Sequence, residues 1–94
     1  MVLASIVILN YNGKHFLRKC FDALLRQTLQ DYEIIFVDNA STDGSAEFVE
    51  RRYAPRMAAN RLLVIRNKKN LGFAEGNNVG HRVAKGKYVV LLAP

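Results

Sequence analysis

The 94-residue chain has one cysteine, Cys20, so no disulfide can form within it. Small secreted folds held by disulfides are excluded, and a reducing, cytoplasmic compartment is the natural expectation. No apolar run approaches the roughly 18 residues that a membrane-spanning helix needs. The apolar start, MVLASIVIL, lacks the basic flank and small-residue cleavage site of a leader peptide, and its Val and Ile content reads as a strand. Acids are few: 8 against 14 basic residues, for a formal charge of +6. Between Arg51 and Lys69 there are seven basic residues and no acid. That stretch is either a solvated surface or an anion-facing rim for nucleotide phosphate, nucleic acid or acidic lipid. No aromatic interleaving or nucleic-acid motif accompanies it, which ranks nucleic acid last. Phosphate-binding signatures are missing as well. The first strand is followed by NYNGKH rather than G-x-G-x-x-G, and there is no Walker A sequence.

What is present is a core. Half the residues are apolar, enough for one packed domain of this length. Four strand signals alternate with three helix signals. Strands are expected at Val2–Leu9, Tyr32–Val37, Leu62–Arg66 and Lys87–Leu92. Helices are expected at Lys14–Thr28, after the Asn12–Gly13 break, at Gly44–Tyr53, and at Gly72–Ala84. Asp43 is the N-cap candidate of the second helix, Asp43 and Glu47 suit its positive end, and Pro55 marks its stop. The third helix carries Gly72, Gly76 and Gly80 at four-residue intervals. Each costs about 1 kcal/mol relative to Ala in a helix interior. They form either a side-chain-free stripe for close packing or, in part, a loop with the helix starting nearer Asn77. Cys20 shares the spacing of a buried helix face with Phe16, Leu17, Phe21, Leu24 and Leu25. A small core residue is favoured over a catalytic thiol.

The near-continuous apolar runs of the first and last strands imply strands buried on both faces. Alternating strands and helices with short connections give an open parallel α/β sheet with right-handed crossovers. In such sheets ligands lie beyond the carboxyl ends of the strands. Those ends carry NYNG, DNASTDG and RNKKNLG, each more polar than a turn requires. Asp38 therefore either delivers a carboxylate to a crevice or caps a turn through neighbouring amides, and the convergence favours the crevice. Tyr11 offers a ring for stacking a base, or covers the sheet end. A carboxylate at Asp38 suits the imide N–H of uracil or thymine.

Four segments, SIVILNYNG, EIIFVDNASTDGS, NKKNLGFAEGNNVG and AKGKYVVLLAP, occur in an order and spacing that resemble the first half of a family 2 inverting glycosyltransferase, near its rhamnosyltransferase-like branch. The resemblance spans essentially the whole chain and implies a GT-A fold, a Rossmann-like sheet of order 3-2-1-4. It implies that Asn10, Tyr11 and Asn12 line the base pocket and that Asp38 receives the base N3–H. Asn70 and Gly72 would border the nucleoside, with Asn78 packed behind it. The donor would be a UDP- or dTDP-sugar. In the family, the strand matching YVVLLAP leads into an aspartate motif that holds Mg²⁺ or Mn²⁺, and acceptor site and catalytic base follow. None of these lies within residues 1–94, so the resemblance implies the nucleotide-sugar-binding half of the domain, inactive alone, with no catalytic or metal residue. A non-catalytic nucleotide-binding or assembly module is the alternative. Two further expectations are a homodimer through the Lys87–Leu92 edge strand and a peripheral link to the membrane through a polyprenyl-phosphate acceptor in cell-envelope polysaccharide synthesis.

Overall fold

A computed structural model describes residues 2–26, 31–58 and 61–92. The order of elements is β1 (Ala4–Asn10), α1 (Lys14–Leu25), β2 (Tyr32–Asp38), α2 (Ser45–Arg52), a 3₁₀ turn (Ala54–Arg56), β3 (Leu62–Arg66), α3 (Gly72–Val83) and β4 (Tyr88–Leu92). The four strands form one parallel sheet of order β3-β2-β1-β4.

Because side chains alternate across a strand, each central strand supplies both faces. Ile8, Ile34 and Phe36 pack with Leu17, Phe21, Val49 and Tyr53 of the α1/α2 layer. Val7, Leu9, Ile35 and Val37 pack on the other face with Ile65, Val79, Ala84 and Val89. Every residue of β2 is buried, as its apolar run requires. Cys20 packs against the α1/α2 core, and burial pushes its thiol pKa up, which leaves it a structural residue rather than a nucleophile.

Gly76 and Gly80 explain the glycine spacing. A Cβ on Gly76 would lie 2.6 Å from Leu9 Cδ1, and one on Gly80 would lie 2.5 Å from Val7 Cγ1. The missing side chains let α3 approach β1 and β2. Gly72 is not part of that stripe: nothing lies within 4 Å of its Cβ position, and its role is the left-handed backbone, φ +83°, that starts α3. The helix therefore begins at Gly72 and not near Asn77.

Three other expectations need correction, and one lies outside the described residues. β1 starts two residues later than expected, at Ala4, and ends one residue later, at Asn10 rather than Leu9. The N-cap of α2 is Gly44, at φ 84°, and not Asp43. The end expected for α1 at Thr28 lies outside the described residues; the helix is described to Leu25. β4 is not buried on both faces, for Tyr88 is 57% and Leu91 51% exposed. Its apolar run sits at the sheet edge, paired among the described residues only with β1.

The turn before β4 is stitched to the central strands. Ser5 Oγ donates to the buried Glu33 carboxylate at 2.6 Å and accepts the Gly86 amide at 2.7 Å. The Lys85 amide donates to the same Glu33 oxygen at 2.7 Å. A buried carboxylate so placed satisfies donors that the sheet cannot reach.

Candidate functional site

In-register pairing sets Asn10, Asp38 and Arg66 side by side at the carboxyl end of the sheet. Asp38 is buried, and its carboxylate organises the loop behind it. Oδ1 accepts from Asn10 Nδ2 at 2.9 Å and from the Ser41 hydroxyl at 2.7 Å, while Oδ2 accepts the Ser41 amide at 3.0 Å. Ser41 Oγ in turn accepts the Asn12 amide at 2.8 Å, and Asn12 Oδ1 accepts the Thr42 amide at 2.8 Å. Asn12 and Ala40 have positive φ, 54° and 61°. Asparagine tolerates that region through its short polar side chain. The surplus of polar residues after β2 thus closes one network between two loops.

Asn39 faces the other side of the sheet, as the period of two dictates. Its Nδ2 donates to the Gly72 carbonyl at 3.2 Å, and its Oδ1 accepts from Asn67 Nδ2 at 2.8 Å. Asn70 Oδ1 accepts the Gly72 amide at 2.8 Å, completing the turn into α3. Around this amide lies an open cleft of about 240 Å³, lined by Leu9, Tyr11, Asn39, Asn70, Gly72 and Phe73.

Of the residues singled out in the sequence, Tyr11, Asn70 and Gly72 line the cleft, and Asn10, Asn12 and Asp38 form the network that shapes its rim. Asn78 does not join them. It is exposed on α3 and donates to Glu75 Oε1 at 3.5 Å, while its neighbour Asn77 is the buried amide. Sequence reasoning missed Asn39 and Phe73. The signal for Asn39 was strand alternation past Asp38, and for Phe73 an aromatic at the first turn of α3. Phe73 is 67% exposed, an unusual setting for a large ring.

The cleft has flat aromatic walls and carboxamides, and no carboxylate or imidazole lines it. Among the described residues its lining carries no acid–base pair. The residues present do not fit a metal ion. Among the described residues no three His, Cys, Asp or Glu side chains come together, and the Asp38 carboxylate already takes three donors.

Asp43 is a joint between two helices. Its Oδ2 accepts the Lys14 amide at 3.0 Å, at the start of α1. Its Oδ1 accepts both the amide, at 3.0 Å, and the hydroxyl of Ser45, at the start of α2. Desolvation pulls its pKa up, but the Ser45 and Lys14 donors outweigh it and hold the carboxyl below its usual value. A folded pKa below the unfolded one means stability that is present above the unfolded value and lost as pH falls through the folded one. Asp43→Ala is expected to cost about 1 kcal/mol at pH 7. The gap from wild type should close as pH falls below about 4. Urea titrations of both proteins at a series of pH values check this, and a gap constant down to strongly acid pH would contradict it.

An open parallel sheet with helices on both faces and a cleft at its carboxyl edge places the chain among the Rossmann-like α/β domains, which bind their ligands at that edge. Residues 5–93 match the family model Glycosyl transferase family 2, and the chain belongs to that family. It is 39% identical over 90 residues to glycosyltransferase GlyG of Streptococcus pneumoniae, covering 96% of this chain and 29% of that protein. It is 40% identical over 87 residues to the glycosyltransferase EpsJ of Bacillus subtilis, covering 93% of this chain and 24% of that protein. The chain thus spans under a third of the length of both relatives. Its fold superposes on a mannosyltransferase of Pyrobaculum calidifontis, solved with GDP-Man and Mn²⁺, with TM-score 0.87 and 27% identity over 96% of this chain and 26% of that one. The sheet of order β3-β2-β1-β4 with its alternating helices is thereby the N-terminal part of a GT-A fold.

Proposed function

We propose that residues 1–94 form the nucleotide-sugar-binding part of an inverting glycosyltransferase whose donor is a UDP- or dTDP-sugar. The observation that carries this reading is the cleft walled by Tyr11 and Phe73 at the carboxyl edge of the sheet. Tyr11 and Phe73 would hold the base by its faces, between the loops that Asn10 and Asn12 shape. Asp38 would take the base N–H through Oδ2, which has one intramolecular donor against two at Oδ1. Asn39 would secure the nucleoside end of the cleft, Asn70 and Gly72 its border, and Asn78 the helix behind. The rhamnosyltransferase-like branch, a cytoplasmic location and a lipid-linked acceptor in cell-envelope polysaccharide synthesis belong to the same proposal. When bound in the complete enzyme, Mg²⁺ or Mn²⁺ would neutralise the departing diphosphate. Among the described residues no group of side chains is suited to hold it.

NMR titration with UDP, dTDP and GDP tests the pocket. UDP and dTDP should give saturable shifts at Tyr11, Asn39 and Gly72, stronger than GDP. Tyr11→Ala should weaken binding by about 1–3 kcal/mol, the usual worth of one base stacked on one ring. Shifts confined to surfaces remote from the cleft would sink the assignment. No sugar transfer is expected from this chain alone, since the described cleft lining carries no acid or base and the Asp38 carboxylate at its rim is committed to the loop network; donor turnover with or without Mn²⁺ would contradict that.

The same proposal includes self-association. β4 presents one unpaired edge, with Tyr88, Val90 and Leu91 exposed and uncharged. Such an edge is a template for a second strand, here antiparallel with its own copy about a two-fold axis. Sedimentation should show a dimer that Val90→Lys dissociates. A monomer at high micromolar concentration would end this idea.

A further inference from the structure

On the face of the sheet opposite the cleft, a groove of about 670 Å³ runs along α2 to the 3₁₀ turn. Four cations line it: Lys14, Arg51, Arg52 and Arg56. None of them makes a salt bridge among the described residues. Glu47, the groove's one carboxylate, is turned to Arg66 at 3.4 Å. Asp22, which shares a neighbouring depression with Arg52 and Arg56, accepts the Tyr53 hydroxyl at 2.9 Å.

Two details set Arg52 and Arg56 apart from an ordinary charged surface. The Arg52 and Arg56 guanidinium carbons lie 5.7 Å and 5.6 Å from the centroid of one ring, Tyr53. That ring is fully buried, stacked on Phe21 at 4.5 Å, so it fixes where both forks sit. Arg52 Nε is also buried without any hydrogen-bond partner. Native structures rarely leave such a donor unmet, and two like charges sharing one ring repel each other. An anion in the groove would offset that repulsion and draw on the exposed parts of both guanidinium groups. Guanidinium forks match the paired oxygens of phosphate, whereas a lysine acts as a point charge beside them.

We propose that this groove is an oxyanion site for a phosphate group, with Arg52 and Arg56 as its fork and Lys14 and Arg51 on its flanks. It is separate from the nucleotide cleft and independent of the reading given to that cleft. The phosphate is either free or the headgroup of a lipid, since both present the same oxygens.

Selective observation of arginine Nε–H groups in this chain tests the site. Inorganic phosphate, added at constant ionic strength, should shift the Arg52 Nε–H resonance along a saturating curve. In Arg56→Gln, an exposed position whose change should leave the fold intact, the midpoint should rise at least tenfold. Vesicles containing phosphatidic acid then separate the sources. If they broaden the Arg52 signal where phosphatidylcholine vesicles do not, the ligand is a lipid headgroup; saturation by phosphate without a vesicle response indicates free phosphate. A linear drift with phosphate, the same in wild type and Arg56→Gln, would overturn the proposal.

Discussion

Asp38→Ala is expected to destabilise the chain by about 3 kcal/mol or more. Three donors converge on that carboxylate: Asn10 Nδ2, the Ser41 hydroxyl and the Ser41 amide. A buried donor left without an acceptor costs about 1–3 kcal/mol; the Asn10 donor is buried and the two from Ser41 are partly buried, which places their costs at the lower end. Only Asn10 Nδ2 keeps a second acceptor, Ser41 Oγ at 3.2 Å, and Ser41 itself loses both anchors. With them goes the geometry that presents Asn12 and Tyr11. For a domain of ordinary stability, about 5–15 kcal/mol, the variant stays foldable and its defect is measurable. Asp38→Asn retains one carbonyl acceptor and should cost distinctly less. Denaturant midpoints for the two variants give the comparison; an unchanged midpoint for Asp38→Ala would show that the loops do not depend on this residue. Nucleotide titration, made where the variants are still folded, should show a further loss of about 1.5–3 kcal/mol if Asp38 also receives the base N–H.

Gly80→Ala should destabilise by about 1–3 kcal/mol, the usual cost of forcing a methyl into a filled core. The new Cβ would sit 2.5 Å from Val7 Cγ1 and 3.1 Å from Val37 Cγ2, both on fully buried strand residues. The gain in helix propensity, up to about 1 kcal/mol, opposes this and does not outweigh it. Val7→Ala removes the obstructing methyl. The double variant Gly80→Ala/Val7→Ala should therefore be more stable than the two single effects add up to. Strict additivity in chemical denaturation would mean that α3 yields by moving away from the sheet. Gly72→Ala separates steric from conformational causes, because no atom lies near its Cβ position while its φ is +83°. Its cost, about 1–2 kcal/mol, should show no coupling to Val7.

Much of the architecture is legible along the chain because burial leaves a periodic trace. β2 reads as a continuous apolar run because both of its faces are covered, and α1 shows Leu17 and Phe21 one turn apart. Parallel order followed from the strand–helix alternation, and Asn10 and Asp38 fell at strand ends where the chain turns polar. The cap of α2 was not legible in the same way. Asp43 has the chemistry of a cap, but the residue in cap position is Gly44, and Asp43 instead bridges to Lys14 on another helix. Its second partner is 29 residues away, beyond any local pattern.

By itself the sequence determined the kind of elements, their order, the parallel sheet and the identity of the residues at its carboxyl edge. These follow from local preference and from the two periods of apolar residues. Tertiary structure alone decided that Asn39 rather than Asn78 lines the cleft, and that Phe73 lines it together with Tyr11. It also decided that β4 is an exposed edge and that Arg52 and Arg56 both lie beside the Tyr53 ring. The reason is common to all of these. Which side chains share a space depends on how close α3 and α2 lie to the sheet, and that distance is set by contacts between residues far apart in the chain, such as Gly80 on Val7.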